Sequence, residues 1–239
     1  MARVRLNRPL VRVPFDSNGT FVIADLRTAF GRGLYRYRRP YSDTDFDVLC
    51  KYLSPGDTFV DCGANVGQFT LTAARLVGTT GRVIAFEPTP DARAQLARNV
   101  AVNGLTTVDI RSCALSETEG IATFVVVGDG GGLSSFAPEH PAAGSTISVQ
   151  TRRLDDEINE DISPSVTLVK MDVEGAELRV LTGATRLLDE GNAAFLVEVE
   201  DGHLRRQGAS ADALIAMFRR FGYRPKETPG PSPNVVFRR

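Results

Sequence analysis

The stretch "DTFVDCGANVGQFT", Asp57 to Thr70, decides how the chain reads. An apolar run climbs to Asp61, glycines stand at Gly63 and Gly67, and an apolar-periodic segment follows. That is the pattern of a strand, a tight turn and a helix. Gly63 lets the backbone turn sharply after the strand, and Gly67 lets helix and strand pack closely. The first turn of the helix offers free N–H groups and a positive dipole end, suited to a carboxylate or a phosphate. A dinucleotide loop needs a further glycine so that its backbone can approach a pyrophosphate. Here Ala64 and Asn65 fill that space with side chains.

An acid belongs at the end of the next strand, about twenty residues on. Glu87, in "VIAFEP", stands there, with Pro88 beside it. A carboxylate in that place can accept both hydroxyls of a ribose. Turn and acid together predict a nucleoside ligand without phosphates, and S-adenosylmethionine is such a ligand. Its ammonium would find an acceptor in Asp61, directly or through water. Its carboxylate would find donors in the turn and the helix start. Each residue also has a plainer reading: Glu87 as a solvated strand-end acid, Asp61 as a turn cap.

Outward from the turn, strands alternate with helices. "GRVIAFEP", "TVDIRSCAL", "SVTLVKMDVE" and "AAFLVEVE" read as strands, and "DARAQLARNVAVNG", "AELRVLTGATRLLDEG" and "SADALIAMFRRFG" as helices, the second weak at Gly183. "YRPKE" and "NVVFRR" close as a hairpin. Such alternation means crossover units, a mostly parallel sheet and an α/β, Rossmann-like fold. "IATFVVV" and "STISVQTRRL" read as an inserted antiparallel pair around a glycine-rich loop, "GDGGGLSSF" (Gly128–Phe136). The loop lacks the lysine of a phosphate-binding loop. It is either a substrate loop, with Ser134 and Ser135 as hydrogen-bonding groups, or a plain flexible connection. Before Ser54–Gly56, "LVRVPFD" and "TFVIAD" read as a β-hairpin and "YSDTDFDVLCKYL" as a capped helix. This divides the chain into an N-terminal extension, 1–54, and a main domain, 55–239. Between hairpin and helix lies a basic aromatic stretch, Arg32 to Tyr41. It is a solvated or packing surface, or a face for an anionic substrate, a partner subunit or an RNA backbone.

The chain has 239 residues, 42% hydrophobic and 24% charged, with net charge −1. A sizeable core can form, and no global charge draws the chain to nucleic acid or an anionic membrane. Three spaced cysteines make no metal pattern and no disulfide framework. They predict a reduced, cytoplasmic protein. No apolar run reaches the length of a membrane span, and the start lacks a signal-peptide core.

The stretch from Phe59 to Leu105, "FVDCGANVGQFTLTAARLVGTTGRVIAFEPTPDARAQLARNVAVNGL", resembles the first half of the FkbM-type methyltransferases. "LVKMDVEGAELRVLTGATRLL" resembles their second signature, and "ISVQTRRLDDEI" the segment just before it. The resemblance implies a seven-stranded methyltransferase sheet whose last two strands form the terminal antiparallel hairpin. It implies S-adenosylmethionine-dependent O-methylation of a small-molecule hydroxyl, on a sugar or a polyketide-type metabolite. By position, Asp61, Gly63, Ala64, Asn65 and Gly67 form the cofactor loop, and Glu87 with Pro88 holds the ribose. Ser112, Cys113 and Ala114 lie beside the adenine, and Asp172 and Glu174 face the methyl group.

A sugar hydroxyl is a poor nucleophile, so a nearby base or a divalent metal is expected. In "KMDVEGAE", Asp172 and Glu174 point to one side if the chain stays extended. Glu177 reads as a helix cap, and Glu174 as either a cap or a functional acid. In "VEVEDGH", Glu198 and Glu200 alternate with His203 just beyond. These acids would hold a divalent cation through oxygen, or one would act as base. His203 has a suitable pKa for proton transfer, or is an exposed loop histidine; His140 has the same two readings. Three rivals remain: a non-catalytic S-adenosylmethionine-binding module, an NAD(P)-dependent oxidoreductase, and a nucleic-acid methylase. Asn65 opposes the second, and the absence of an Asn/Asp-Pro-Pro-Tyr run or a Pro-Cys nucleophile opposes the third. A homo-oligomer stays open.

Overall fold

The computed structural model describes residues 10–14, 19–37, 43–127, 133–136, 145–158, 165–230 and 232–239. The chain begins with an antiparallel hairpin, Leu10–Pro14 (β1) and Phe21–Asp25 (β2), then helices Ala29–Tyr37 (α1) and Asp43–Tyr52 (α2). Alternation follows: Thr58–Cys62 (β3), Gln68–Val77 (α3), Arg82–Phe86 (β4), Pro90–Val102 (α4) and Val108–Arg111 (β5). A β-rich insertion contains Ala114–Leu115 (β6), Gly120–Val127 (β7), Leu133–Phe136 (β8), Ser145–Arg152 (β9) and Leu154–Glu157 (α5). Then come Val166–Met171 (β10), Glu177–Thr182 (α6), Thr185–Glu190 (α7), Ala194–Glu198 (β11), Asp201–Arg206 (α8) and Ala211–Arg220 (α9). Arg224–Glu227 (β12) and Asn234–Arg238 (β13) end the chain.

The main sheet has seven strands in the order β12-β13-β11-β10-β3-β4-β5. Neighbours from β11 to β5 pair in parallel, while β13 runs antiparallel to both β11 and β12. This is the expected sheet, terminal hairpin included. All five residues of central β3 are buried, as befits a strand covered on both faces. Val60 and Cys62 face a layer that includes Leu187, Phe195 and Phe218. Phe59 faces the other way, onto Leu49, Ala73 and Val77 of the helices behind it. Each such large apolar side chain contributes about 1.5–3 kcal/mol by leaving water.

The helix expected to be weak at Gly183 breaks there into α6 and α7. A Cβ on Gly183 would lie 2.2 Å from the Ser116 carbonyl oxygen, so close packing requires glycine at the break. The N-terminal hairpin docks on α4 through its open strand edge. Asn103 and Asn99 accept the N–H groups of Phe21 and Ile23, both at 2.8 Å.

Three expectations are corrected. "TVDIRSCAL" is not one strand: β5 ends at Arg111, and β6 joins β9 in a separate four-stranded sheet of order β6-β9-β7-β8. The glycine-rich loop is not all loop, because β8 pairs with β7 and brings Phe136 onto Phe124, ring centres 4.6 Å apart. The segment holding His203 is the helix α8, not a loop. Part of the basic stretch forms α1, where Arg32, Tyr35 and Arg36 are exposed and Leu34 is buried, an amphipathic packing helix. Residues 38–42 and His140 lie outside the described residues.

Candidate active site

The turn after β3 is left-handed at Gly63 (φ 86°), Asn65 (φ 50°) and Gly67 (φ 96°). Gly63 and Ala64 donate their N–H groups to the Phe86 carbonyl at 3.1 and 2.9 Å, locking the turn to the end of β4. A Cβ on Gly63 would lie 2.0 Å from the Asp172 carbonyl oxygen, so this glycine also lets the turn touch the end of β10. A Cβ on Gly67 would lie 2.5 Å from Leu96 Cδ1, so the close approach this glycine allows is to α4 and not, as expected, to the strand.

Glu87 is tied into this turn. Its Oε2 accepts the Asn65 N–H at 2.9 Å, and its Oε1 accepts the Thr89 N–H at 2.8 Å and the Thr89 hydroxyl at 2.6 Å. Burial pushes its pKa up, and these donors oppose that rise. A carboxylate has about four acceptor positions. Three are taken here, which leaves one at Oε2 for a ligand hydroxyl.

A cavity of about 350 Å³ opens at the carboxyl ends of β3, β4 and β10, the place where open α/β sheets bind ligands. Gly63, Asn65, Glu87 and Pro88 line one part, and Cys113, Ala114 and Leu115 another. Phe124, Phe136 and Ile147 of the inserted sheet form an apolar wall. Burial holds the Cys113 thiol up at about 11, so it stays neutral there. Four carboxylates border the cavity, from Glu87, Asp91, Asp172 and Glu174, and no Lys, Arg or His does so among the described residues. Ala64, Gly67, Asp61 and the exposed Ser112 do not border it. Asp61 is 1% exposed and accepts the Thr70 hydroxyl at 2.6 Å, a layer below the cavity floor. Ser135 does not border it either; β8 presents Phe136 instead.

At the far end β10 stops at Met171, and the chain turns. Glu174 (φ 55°) and Gly175 (φ 99°) are left-handed, so Asp172 and Glu174 do not alternate along an extended strand; both border the cavity nevertheless. A Cβ on Gly175 would lie 2.3 Å from the His203 carbonyl oxygen, so glycine here admits α8. Glu177 Oε1 accepts the N–H groups of Val173 and Gly175 at 3.0 and 3.3 Å, so it braces the turn before α6 and does not cap the helix as expected. Glu200 caps α8 through the Gly202 N–H and stays out of the cluster.

Two groups meet behind Glu174. His203 Nδ1 lies 3.2 Å from Glu174 Oε2 and 3.5 Å from Glu198 Oε2. Burial first, then the Asp172 charge, raises Glu174 to about 7 and Glu198 to about 8. Their facing oxygen and nitrogen atoms all lie within 4.8 Å of one another, a spacing that a divalent cation could also bridge. Sequence reasoning placed Glu198 near this end but did not pair it with His203. The sequence signal was "VEVEDGHLRR", in which acids precede basic residues as they do along a short helix. Lys170 also lay unread there: it is 2% exposed, and its Nζ sits 3.1 Å from Asp172 Oδ2.

The sheet with one reversed strand and the acid-walled cleft at its carboxyl edge define a Rossmann-like α/β protein. Residues 61–225 match the FkbM methyltransferase domain, and the chain belongs to that family. It is 30% identical over 181 residues to the 31-O-demethyl-FK506 methyltransferase FkbM of Streptomyces tacrolimicus, covering 64% of this chain and 69% of that one. It is 30% identical over 155 residues to the hexuronic acid methyltransferase AglP of Haloferax volcanii, covering 65% and 61%. Its fold superposes on the methyltransferase FkbM of Methylobacillus flagellatus KT with TM-score 0.53 at 18% identity, over 81% of this chain. This chain spans half the length of that structure's chain.

Proposed function

We propose that the chain binds S-adenosylmethionine and transfers its methyl group to a hydroxyl of a small molecule. The observation that carries this reading is the charge of the cavity wall: four carboxylates and no basic side chain among the described residues. Such a wall favours a cationic nucleoside and repels the pyrophosphate of a dinucleotide. The fit of the donor set supports it further. Glu87 keeps one acceptor position for a ribose hydroxyl, and Cys113, Ala114 and Leu115 give a flat, apolar bed for a base. When bound, S-adenosylmethionine supplies a methyl group already activated by its sulfonium.

The chain's own residues then have two tasks. Gly63, Asn65, Glu87 and Asp172 orient the donor, and the Phe124–Phe136 wall excludes water. Glu174, on the cavity surface, takes the hydroxyl proton. A base works best with a pKa near the working pH, and Glu174 stands at about 7. His203 Nδ1 stands behind it, 3.2 Å from Glu174 Oε2 and 3.5 Å from Glu198 Oε2, and keeps the Glu174 carboxylate in place. Two relatives are named for methylation of 31-O-demethyl-FK506 and of a hexuronic acid, which supports a hydroxyl acceptor of a polyketide or sugar kind.

The test is calorimetry with S-adenosylmethionine, S-adenosylhomocysteine and NADH. Binding of the first two at micromolar concentration without NADH binding is expected. Tight NADH binding with neither of the others would refute the reading. A non-catalytic binding module is told apart by methyl transfer from labelled S-adenosylmethionine to a panel of polyketide and sugar alcohols.

A further inference from the structure

Lys170 is the penultimate residue of β10 and is 2% exposed. Strand register sets it opposite Asp61 on β3 and Leu196 on β11. Its Nζ lies 3.1 Å from Asp172 Oδ2 and 4.5 Å from the centre of the Phe69 ring. Asp61 gives Oδ2 to the Thr70 hydroxyl, while its buried Oδ1 has no hydrogen-bond partner. An ammonium brings three donors, and one goes to Asp172.

A buried ammonium is costly unless it is paired. Burial works against the Lys170 charge, and Asp172 and Asp61 more than restore it. Packing alone does not call for an ammonium here, because a methionine would fill a similar volume without a charge. The two acids differ in what they see: Asp172 borders the cavity, and Asp61 lies a layer below it. Lys170 therefore stands between a hidden carboxylate, whose charge it feels across the strands, and a paired one that borders the cavity. Around Asp172 the other charges are carboxylates, with Glu174, Glu177 and Glu198 all feeling its field. Without a nearby cation, those charges would drive the Asp172 side chain out of position.

We propose that Lys170 is a positioning residue for the methyl donor: backed by Asp61, its ammonium holds the Asp172 carboxylate against the end of the cavity that receives the sulfonium. This rests on the S-adenosylmethionine reading of the cavity. A lysine with a merely structural role would lower the melting temperature on loss of its charge but leave the affinity of the folded variant for the donor unchanged.

Lys170→Arg, Lys170→Gln and Lys170→Met are compared for thermal melting and for S-adenosylmethionine binding by calorimetry. Lys170→Arg is expected to stay within about threefold of the unchanged chain, and the two neutral variants to fold but bind at least about tenfold more weakly. Equal affinity in the arginine variant and a folded neutral variant overturns the proposal. Should neither neutral variant fold, the Lys170 ammonium resonance of the unchanged protein decides, assigned through its contact with the Phe69 ring. A shift on adding S-adenosylmethionine supports the assignment, and no shift overturns it. Failure of the unchanged chain to bind S-adenosylmethionine is seen before any variant is made, and removes the cofactor reading and the proposal together.

Discussion

Asn65 gives its backbone N–H to the Glu87 carboxylate at 2.9 Å, and so binds the turn after β3 to the acid that ends β4. The residue that departs from a dinucleotide loop thus helps hold the turn to the end of β4. Its left-handed backbone, φ 50°, is one that asparagine tolerates better than most residues. Glu87→Ala would strip the acceptor from the N–H groups of Asn65 and Thr89. Each orphaned donor costs about 1–3 kcal/mol. A lower melting temperature and at least about tenfold weaker S-adenosylhomocysteine binding are expected, read by calorimetry. Unchanged affinity would remove Glu87 from the site.

Asn65→Gly restores the glycine of a dinucleotide loop and relieves the left-handed backbone. It is still expected not to create NADH binding, because Glu87, Asp91, Asp172 and Glu174 remain around the cavity. Stability should change by no more than about 1 kcal/mol. NADH binding by this variant, measured by fluorescence titration, would show that loop shape rather than wall charge selects the ligand.

Glu174→Gln should leave S-adenosylmethionine affinity within about threefold while lowering methyl transfer by about 10²–10⁴-fold, the usual share of a general base. In the unchanged chain the rate should fall as pH drops below about 7, where Glu174 takes up a proton. The variant should lose that limb of the profile. Retention of the limb would assign the titration to another group. Treatment with a chelator should leave the rate intact if the cluster acts by proton transfer. Loss of activity restored by a divalent ion would assign the three facing atoms to a cation instead.

Glu198 offers a test through stability. Its folded pKa, about 8, lies above the ordinary value of 4.5. A carboxyl with a raised folded pKa favours the folded state most where it is protonated, and this contribution is lost as pH rises from 4.5 through about 8. The groups facing it are Asp172, Glu174, Glu177, Lys170 and His203. Glu198→Gln stays neutral throughout. It should melt several degrees above the unchanged chain at pH 9, with the gap narrowing toward pH 5. Parallel melting curves across that range would contradict the buried, mutually repelling pair.

Much of this protein was legible in its sequence because the deciding signals are local. The apolar run into Asp61, the two glycines and Glu87 fixed a strand, a turn, a helix and an acid at the end of the next strand, since each depends on backbone sterics and spacing. Gly183 announced a helix break for the same reason. What the sequence could not decide depends on residues distant along the chain meeting in space. Nothing local says that "LSSF" pairs with β7 and walls the cavity with Phe136, because strand partners are chosen by burial across the sheet. His203 looked like a loop residue, and only the packing of α8 against Gly175 brings it to Glu174 and Glu198. Asp61 was legible as an acid of the turn, but its depth below the cavity, and the ammonium of Lys170 opposite it, follow from strand register. The sequence determined the class of fold; tertiary packing decided which acids border the cavity and which stand behind them, because burial and charge pairing are properties of neighbours rather than of order along a chain.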